Sequence, residues 1–401
     1  NILAQRMYGL TTDYVLISVP LFIFMACLLE RSGIARDMYN SINIWLSRTR
    51  GGIAIVTAIM AIIMAAMSGI IGGEVVLLGL IALPQMLRLG YNQNLAIGTI
   101  CASGSLGTMI PPSIVLIIYG LITETSIHGL FRAAFVPGLL LGGLYIVYII
   151  IRTRLYPDQA PLPKGGADVT FADKFKSLPQ LIPPLLVVFV VLGSIYGGIT
   201  GITEAAGMGT VAVLVIIILR REMSWLLFRE ALMRTFKSTG TILWVTFGAT
   251  ALAGAYSIAG GPTYVANLIV GAEMPTFAVL LVMMLIFLFL GAIMDWVGIV
   301  LLVMPVFLPI VKRLPIEELG LVGMTLEASA VSIWFGILFC VNMQVSFLSP
   351  PFGPAAFYLK SVAPPHITLP DIFRGFMPFI GIQLLVLAIV LLWPGITMFF
   401  R

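Results

Sequence analysis

The chain has 401 residues, of which 60% are hydrophobic and only 10% are charged, and its net charge is +5. Soluble domains carry about 25% charged residues, so this composition excludes a soluble enzyme. Because the apolar residues form long runs along the whole sequence, they predict an all-α polytopic membrane protein. Gly and Pro are unusually frequent for straight spanning helices, at 40 and 24 residues.

Eleven apolar runs follow one another along the chain. Several have the roughly 20 residues that a spanning helix needs, whereas others are shorter or are interrupted by Gly and Pro. Two amphipathic segments with Arg at their edges, 35–47 and 222–236, are expected to lie along the membrane interface. The apolar runs are 14–29, 53–71, 75–87, 94–122, 133–151, 181–198, 205–219, 241–259, 277–311, 328–359 and 376–400.

Two of these regions, 53–87 and 277–311, are interpreted as helical hairpins that enter and leave the membrane on the same side. The other spans then alternate, and 17 of the 22 Lys and Arg residues fall on one side of the membrane. That side is predicted to be cytoplasmic, because cytoplasmic loops carry an excess of basic residues. The opposite, exterior side receives Arg6, Arg132, Lys312, Arg313 and Arg401.

An internal repeat is visible in markers that recur in the same order in both halves. Pro111–Pro112 and Pro350–Pro351 each begin ten residues after a Cys, and Glu74 and Asp295 each stand ten residues before a Pro. A further Pro begins the next apolar run in each half. Five crossings separate equivalent points, so the two copies have opposite orientations. Inverted-topology repeats of this kind are typical of secondary transporters.

The repeat divides the chain into three regions. Each repeat holds one re-entrant hairpin followed by one broken helix, and a connector with two spans and an interfacial helix lies between the repeats. The first repeat is 1–153, with hairpin 53–87 and broken helix 94–122; the connector is 154–230; the second repeat is 231–401, with hairpin 277–311 and broken helix 328–359.

The first broken helix is divided by Gly104, Gly107 and Pro111–Pro112 into two pieces of about ten residues, each spanning about half the hydrocarbon core. A helix can break in hydrocarbon only where it is buried or lines a polar cavity. The freed carbonyl groups suit a cation such as Na⁺, and the N-terminus of the second piece suits an anion. The plainer alternative is a proline kink whose hydroxyl groups bond back to the helix. The side chains predicted to contact the substrate are Ser103, Thr108, Ser113 and Asn342.

Two acids, Glu74 and Asp295, stand well inside apolar segments at the predicted hairpin tips. Such groups are costly in a membrane unless they are partnered. We expect them to orient the tips by accepting backbone N–H groups, as a carboxylate at a helix start does. A purely structural carboxylate and a proton relay are the alternatives.

These stretches resemble the large membrane (M) subunit of the tripartite ATP-independent periplasmic (TRAP) transporters. The resemblance implies an elevator-type carrier in the bacterial inner membrane that uses a Na⁺ gradient. It also implies a small four-helix membrane subunit and a periplasmic substrate-binding protein that delivers an organic acid, commonly a carboxylate. The matching stretches, in family order over nearly the whole chain, are Val19–Phe24, Ser32–Arg36, Ser68–Pro84, Ser103–Ser113 and Leu348–Gly353.

Carried onto this sequence, the resemblance implies two Na⁺ sites. The chain departs from the family at Glu74, where Asp is more common, and at Ser346, where Gly is usual. The first site would use Ser68, Gly69, Gly104, Ser105 and Gly107. The second site would use Gly291, Ser346 and Ser349.

Other functions stay open at this stage. A stand-alone Na⁺ or H⁺/organic anion symporter would share the repeat but would need no binding protein. An ion channel is less favoured, because the sequence shows neither a ring of charges nor a repeated filter. No catalytic constellation is present, so we do not expect an enzyme.

Overall fold

The computed structural model describes residues 2–46, 49–162, 170–261, 263–265, 267, 274–319 and 326–399. Within these ranges the regular structure is entirely helical. Arg48, Lys164 and Arg401, which enter the charge count above, lie outside the described residues. The α-helices are α1 (Ile2–Thr11), α2 (Ser18–Arg31), α3 (Ile34–Leu46), α4 (Gly52–Ser68), α5 (Gly73–Arg88), α6 (Gln93–Gly104), α7 (Ile114–Thr123), α8 (Ile127–Leu155), α9 (Phe171–Ser177), α10 (Ile182–Tyr196), α11 (Ile202–Leu219), α12 (Trp225–Ile258), α13 (Thr276–Gly291), α14 (Trp296–Val311), α15 (Ala328–Leu348), α16 (Pro354–Lys360) and α17 (Leu369–Leu392).

The fold contains both full-length and shortened apolar helices. In the part of the chain that the structure describes, seven helical segments are long and apolar enough to cross a membrane. Of these, α15 is 94% buried within the protein, whereas the other six are between 22% and 50% buried. The multi-pass helical architecture is therefore confirmed, and α15 lies at its centre. The seven segments are Tyr14–Arg31, Ile127–Leu155, Phe171–Tyr196, Ile202–Leu219, Trp225–Ile258, Ala328–Leu348 and Leu369–Leu392.

The segment 222–236 differs from its prediction as a separate interfacial helix. The chain is helical without a break from Trp225 to Ile258, and Ser224 caps this helix by accepting a hydrogen bond from Leu227 N at 3.1 Å. No Pro or Gly occurs before Gly240 to end the helix. The amphipathic segment therefore continues directly into the following span.

Each hairpin region contains two helices joined by a short tip. Residues 69–72 join α4 to α5, and Gly69 and Gly72 have φ angles of +66° and +117° there. Only glycine adopts such angles without strain, so both positions require it. The second tip joins α13 to α14, and Asp295 begins α14 by accepting a hydrogen bond from Val297 N at 3.3 Å.

Both broken helices are interrupted at their proline pairs, but unequally. The first break separates helices of 12 and 10 residues, α6 and α7. The second separates helices of 21 and 7 residues, α15 and α16. The peptide bond within each proline pair is cis.

The hairpins and the broken helices pack into one unit. Each hairpin contacts the first part of the broken helix in its own half, α4 and α5 against α6, and α13 and α14 against α15. The second helix of each hairpin also crosses to the other half, where α5 packs on α16 and α14 packs on α7. A second layer of helices is built from α2, α10, α11 and α12; α2 and α10 pack on the first hairpin, and α12 packs on α14 of the second.

The contact between α6 and α17 depends on a glycine, which gives a test of the fold. A Cβ on Gly98 would lie 2.3 Å from the carbonyl oxygen of Gly375. Overpacking of this kind costs about 1–3 kcal/mol, so we expect Gly98→Val to lower the thermal unfolding midpoint in detergent by several degrees. Gly381→Val is the matched control, because a Cβ on Gly381 would meet nothing within 4 Å. Equal midpoints for the two variants would contradict this packing.

Candidate functional site

The tip of the first hairpin contacts the first helix break through main-chain atoms. Ile114 N donates a hydrogen bond to Gly69 O at 3.1 Å. A Cβ on Gly69 would lie 2.5 Å from Pro112 O, and a Cβ on Gly104 would lie 2.7 Å from Val75 Cγ2. The close approach of tip and break therefore needs glycine on both sides.

Gly107 lies in the middle of this contact. A Cβ at this position would stand 2.8 Å from Glu74 Oε1 and 3.0 Å from both Ile70 O and Ser68 Oγ. Three tip oxygens, from a carboxylate, a carbonyl and a hydroxyl group, thus surround the α-carbon of Gly107. Hard cations are bound in proteins by oxygen ligands of these kinds.

Glu74 is fully buried beside the same contact. Its Oε1 accepts a hydrogen bond from the Ser68 hydroxyl group, not from the backbone N–H group that the sequence predicted. Its Oε2 has no hydrogen-bond partner among the described residues. A buried carboxylate with a free oxygen is costly unless positive charge lies near it. Glu74 therefore makes this contact suitable for a cation.

Glu30, on the last turn of α2, faces the first tip from outside the hairpin. Its side chain is 6% exposed, and its Oε2 accepts a hydrogen bond from Arg234 Nη1 at 2.8 Å. A Cβ on Gly73 would lie 1.4 Å from Glu30 Oε1, so any side chain there would have to displace the Glu30 carboxylate. Sequence reasoning missed Glu30 because it stands at the edge of an apolar run beside Arg31, where charged residues usually mark the end of a span.

The second tip contacts the second break in a related way. Phe352 N donates a hydrogen bond to Ala292 O at 3.2 Å. A Cβ on Gly291 would lie 1.7 Å from Ser346 Oγ, so the serine hydroxyl fills the space above this glycine. Asp295 is exposed at the surface of the chain and does not reach this contact.

The predicted hydroxyl ligands of the second break bond back to their own helix. Ser346 Oγ donates to Asn342 O at 3.2 Å, and Ser349 Oγ donates to Val345 O at 2.8 Å. These bonds are the ones expected of a simple kinked helix. The structure thus brings Gly291 and Ser346 together, whereas Ser349 lies on the same helix with its hydroxyl group already bonded.

Gln344, which the sequence reading did not select, links the two broken helices. Its Nε2 donates to Thr108 Oγ1 at 2.6 Å, and its Oε1 accepts from Ser105 Oγ at 3.0 Å. Ser105, assigned to the first Na⁺ site, therefore points toward α15 and not toward the first tip. A signal was available in the sequence, because an amide side chain in so apolar a helix must find partners.

The four predicted substrate contacts are buried and have different partners. Thr108 is held by Gln344, and Ser113 caps α7 while its hydroxyl group donates to Thr108 O. Asn342 Nδ2 donates to Met284 O at 3.0 Å. The Ser103 hydroxyl group and Asn342 Oδ1 are buried without a partner among the described residues. All four side chains are closed off from the surface of the chain.

A separate cavity of about 540 Å³, here called the basic cavity, lies away from the tips. It is lined by the first turns of α8 and α15 and by Glu124, His128, Arg132 and Lys312. Arg132 and Lys312 belong to the five basic residues that the sequence assigns to the exterior side. None of the predicted Na⁺ or substrate residues lines it.

The chain is similar to known proteins of one family. The family model for the tripartite ATP-independent periplasmic transporter, DctM component, matches residues 1–396. The C4-dicarboxylate TRAP transporter large permease protein DctM of Pseudomonas aeruginosa is 29% identical over 99% of this chain and 88% of that protein. The ectoine/5-hydroxyectoine TRAP transporter large permease protein UehC of Ruegeria pomeroyi is 30% identical over 100% of this chain and 89% of that protein.

A solved structure shares the fold. The YdaH transporter of Alcanivorax borkumensis aligns with a TM-score of 0.58 over 98% of this chain and 88% of that chain, at 16% sequence identity. A likeness at this identity shows the fold alone.

The bridge made by Gln344 gives a test of the site. We expect Gln344→Leu to lower the thermal unfolding midpoint in detergent, because unpaired buried polar groups cost about 1–3 kcal/mol. Thr108→Val in the Gln344→Leu background should then cost less than it does in the wild type, since the two side chains share one bond. Gln180→Leu, an exposed glutamine in the turn before α10, is the control. Additive effects of the two site substitutions would show that the bridge does not form.

Proposed function

This chain belongs to the DctM component family of the tripartite ATP-independent periplasmic transporters, and on that premise we propose that it imports an organic acid by Na⁺-coupled, elevator-type transport. As a member of that family it is a multi-pass inner-membrane permease subunit and not an enzyme. The family name implies further components; we propose that these are a small four-helix membrane subunit and a periplasmic substrate-binding protein.

The contact between the first tip and the first break carries the proposal of Na⁺ coupling. Ser68, Gly69, Gly104 and Gly107 bring main-chain and hydroxyl oxygens together beside the buried, partly unpaired Glu74 carboxylate. Bound Na⁺ would supply the positive charge that this contact lacks. It would thereby hold the tip against the break.

A second Na⁺ site is proposed at the equivalent contact in the other half. Gly291 and Ser346 lie against each other there, and Ser349 is close by on α15. To take part, both serine hydroxyl groups would keep their bonds to helix carbonyls and offer lone pairs to the ion. Ser105 would contribute to the first site only after its hydroxyl group breaks its hydrogen bond to Gln344 and turns toward the first tip.

Elevator motion is supported by the way the two halves pack. The exchange of contacts between halves, α5 with α16 and α14 with α7, is what an inverted repeat would produce. We propose that the hairpins and broken helices move together, while α2, α10, α11 and α12 form the scaffold. The first tip lies beside Glu30, at the predicted cytoplasmic end of α2, which suits a position facing the cytoplasm.

The organic acid is proposed from the relatives, which are named for C4-dicarboxylate and for ectoine and 5-hydroxyectoine. In this chain the free hydroxyl group of Ser103 and the N-terminus of α7, capped by Ser113, are the groups proposed to meet the acid. A helix N-terminus favours a negatively charged group. The alternative of a channel is disfavoured, because the polar residues of the first break are buried.

Uptake by reconstituted transporter tests the proposal. The purified subunit, its small membrane partner and the loaded binding protein would be studied in liposomes with an imposed Na⁺ gradient. We expect Gly107→Ala to raise the Na⁺ concentration for half-maximal uptake at least about tenfold, since displacing a charged oxygen from a cation costs more than about 1.4 kcal/mol. The matched control is Gly143→Ala, where a Cβ would meet nothing within 4 Å.

Three outcomes would count against the proposal. Uptake that does not depend on Na⁺ would exclude Na⁺ coupling. Uptake by the chain without the binding protein would select the stand-alone symporter, and a conductance far above carrier turnover would select a channel.

A further inference from the structure

The basic cavity contains two cationic side chains that lack an acidic partner. Neither Arg132 nor Lys312 forms an ion pair within the described residues. Glu124 also lines the cavity but pairs with neither of them. His128 Nε2 donates to Ile195 O at 3.1 Å, which fixes the imidazole ring at the wall. With Glu124 counted against Arg132 and Lys312, the lining of the cavity carries one net positive charge.

The main chain adds to this charge. Two long helices begin at the cavity, α8 at Ile127 and α15 at Ala328, and residues of both first turns line it. The N-terminus of a helix carries about half a positive charge and presents free N–H groups. Arg132 and Lys312 thus share this lining with two helix N-termini, and the carboxylate of Glu327, the N-cap residue of α15, offsets part of the positive charge there.

A smaller cavity adjoins the basic cavity. A second cavity of about 230 Å³ shares Glu124 and Lys312 with it and follows the groove between α7 and α14 as far as Pro305. At its other end α7 starts at Ile114, which is bonded to the first tip at Gly69. Both cavities thus lie at the C-terminal end of α7, the helix whose other end is bonded to the first tip.

We propose that the basic cavity is a second binding site for small organic carboxylates, separate from the tips, in which an acid is held before it reaches them. The class of ligand rests on the proposed function. A volume of 540 Å³ is within the range of sites for small ligands. The guanidinium of Arg132 offers a planar pair of donors that matches a carboxylate, and Lys312 adds a second point charge.

The test measures protection of the Lys312 amine from acylation. The purified transporter, in nanodiscs and in Na⁺-free choline buffer, would be treated with an acylating reagent in the presence of succinate, lactate or citrate. We expect at least one acid to slow modification of Lys312 about fivefold or more, since a charge-assisted contact withdraws the amine from reaction. Peptide mass spectrometry would measure the rate of Lys312 modification, with the exposed Lys237 of α12 as internal reference.

Two matched variants test whether Arg132 binds the acid together with Lys312. Arg132→Gln should abolish protection of Lys312, because it removes the planar donor pair. Arg313→Gln, which neutralises the neighbouring exposed cation outside the cavity lining, should leave the protection unchanged. Succinamide, which has the size of succinate but no charge, should not protect.

The proposal is overturned if none of the three acids protects Lys312, or if succinamide protects it equally well. Protection by ligand-free binding protein and not by the free acids would also overturn it, because the surface would then serve docking. Since the assay contains no Na⁺ and measures no uptake, its failure leaves the proposed Na⁺ coupling untouched. Conversely, a failure to observe Na⁺-driven uptake would not change the measured protection of Lys312.

Discussion

The structure depends on one constraint, that main-chain groups released where a helix breaks inside a membrane must find partners within the protein. An unpaired N–H or carbonyl group in hydrocarbon costs several kcal/mol. Ile114 N and Phe352 N, just beyond the two breaks, each donate to a carbonyl of the facing hairpin tip. The glycines at these contacts follow from the same requirement, since any side chain there would separate the two main chains.

The breaks are also tied to each other. Gln344 bonds to both Ser105 and Thr108, so the central helix α15 is joined to the first break as well as the second. Cys340 Sγ of α15 also donates to Thr108 O at 3.1 Å, so two side chains join this helix to the first break. The free Glu74 oxygen lies at one end of this arrangement and is the feature that most clearly calls for positive charge.

Local chemistry made some features predictable from the sequence. A proline pair in the middle of a long apolar run removes main-chain donors and interrupts the helix, so both interruptions were expected, as were the apolar helices around them. Side-chain direction was not predictable, because the partner of Ser105 lies 239 residues away in the chain. The end of the predicted helix 222–236 was also missed, since an amphipathic pattern without Pro or Gly does not say where a helix stops. The position of Glu30 at the first tip could not be predicted from the sequence, because only folding brings Glu30 next to Gly73.

The contact between Glu30 and Gly73 has a consequence for the proposed motion. A carboxylate on the scaffold sits at the N-terminus of α5, where it favourably meets the positive end of the helix. If the tip slides away, the N-terminus of α5 loses its contact with the Glu30 carboxylate. Glu30 then keeps only its ion pair with Arg234. The contact would then stabilise the moving unit at one height in the membrane, and free energy would be needed to move it further.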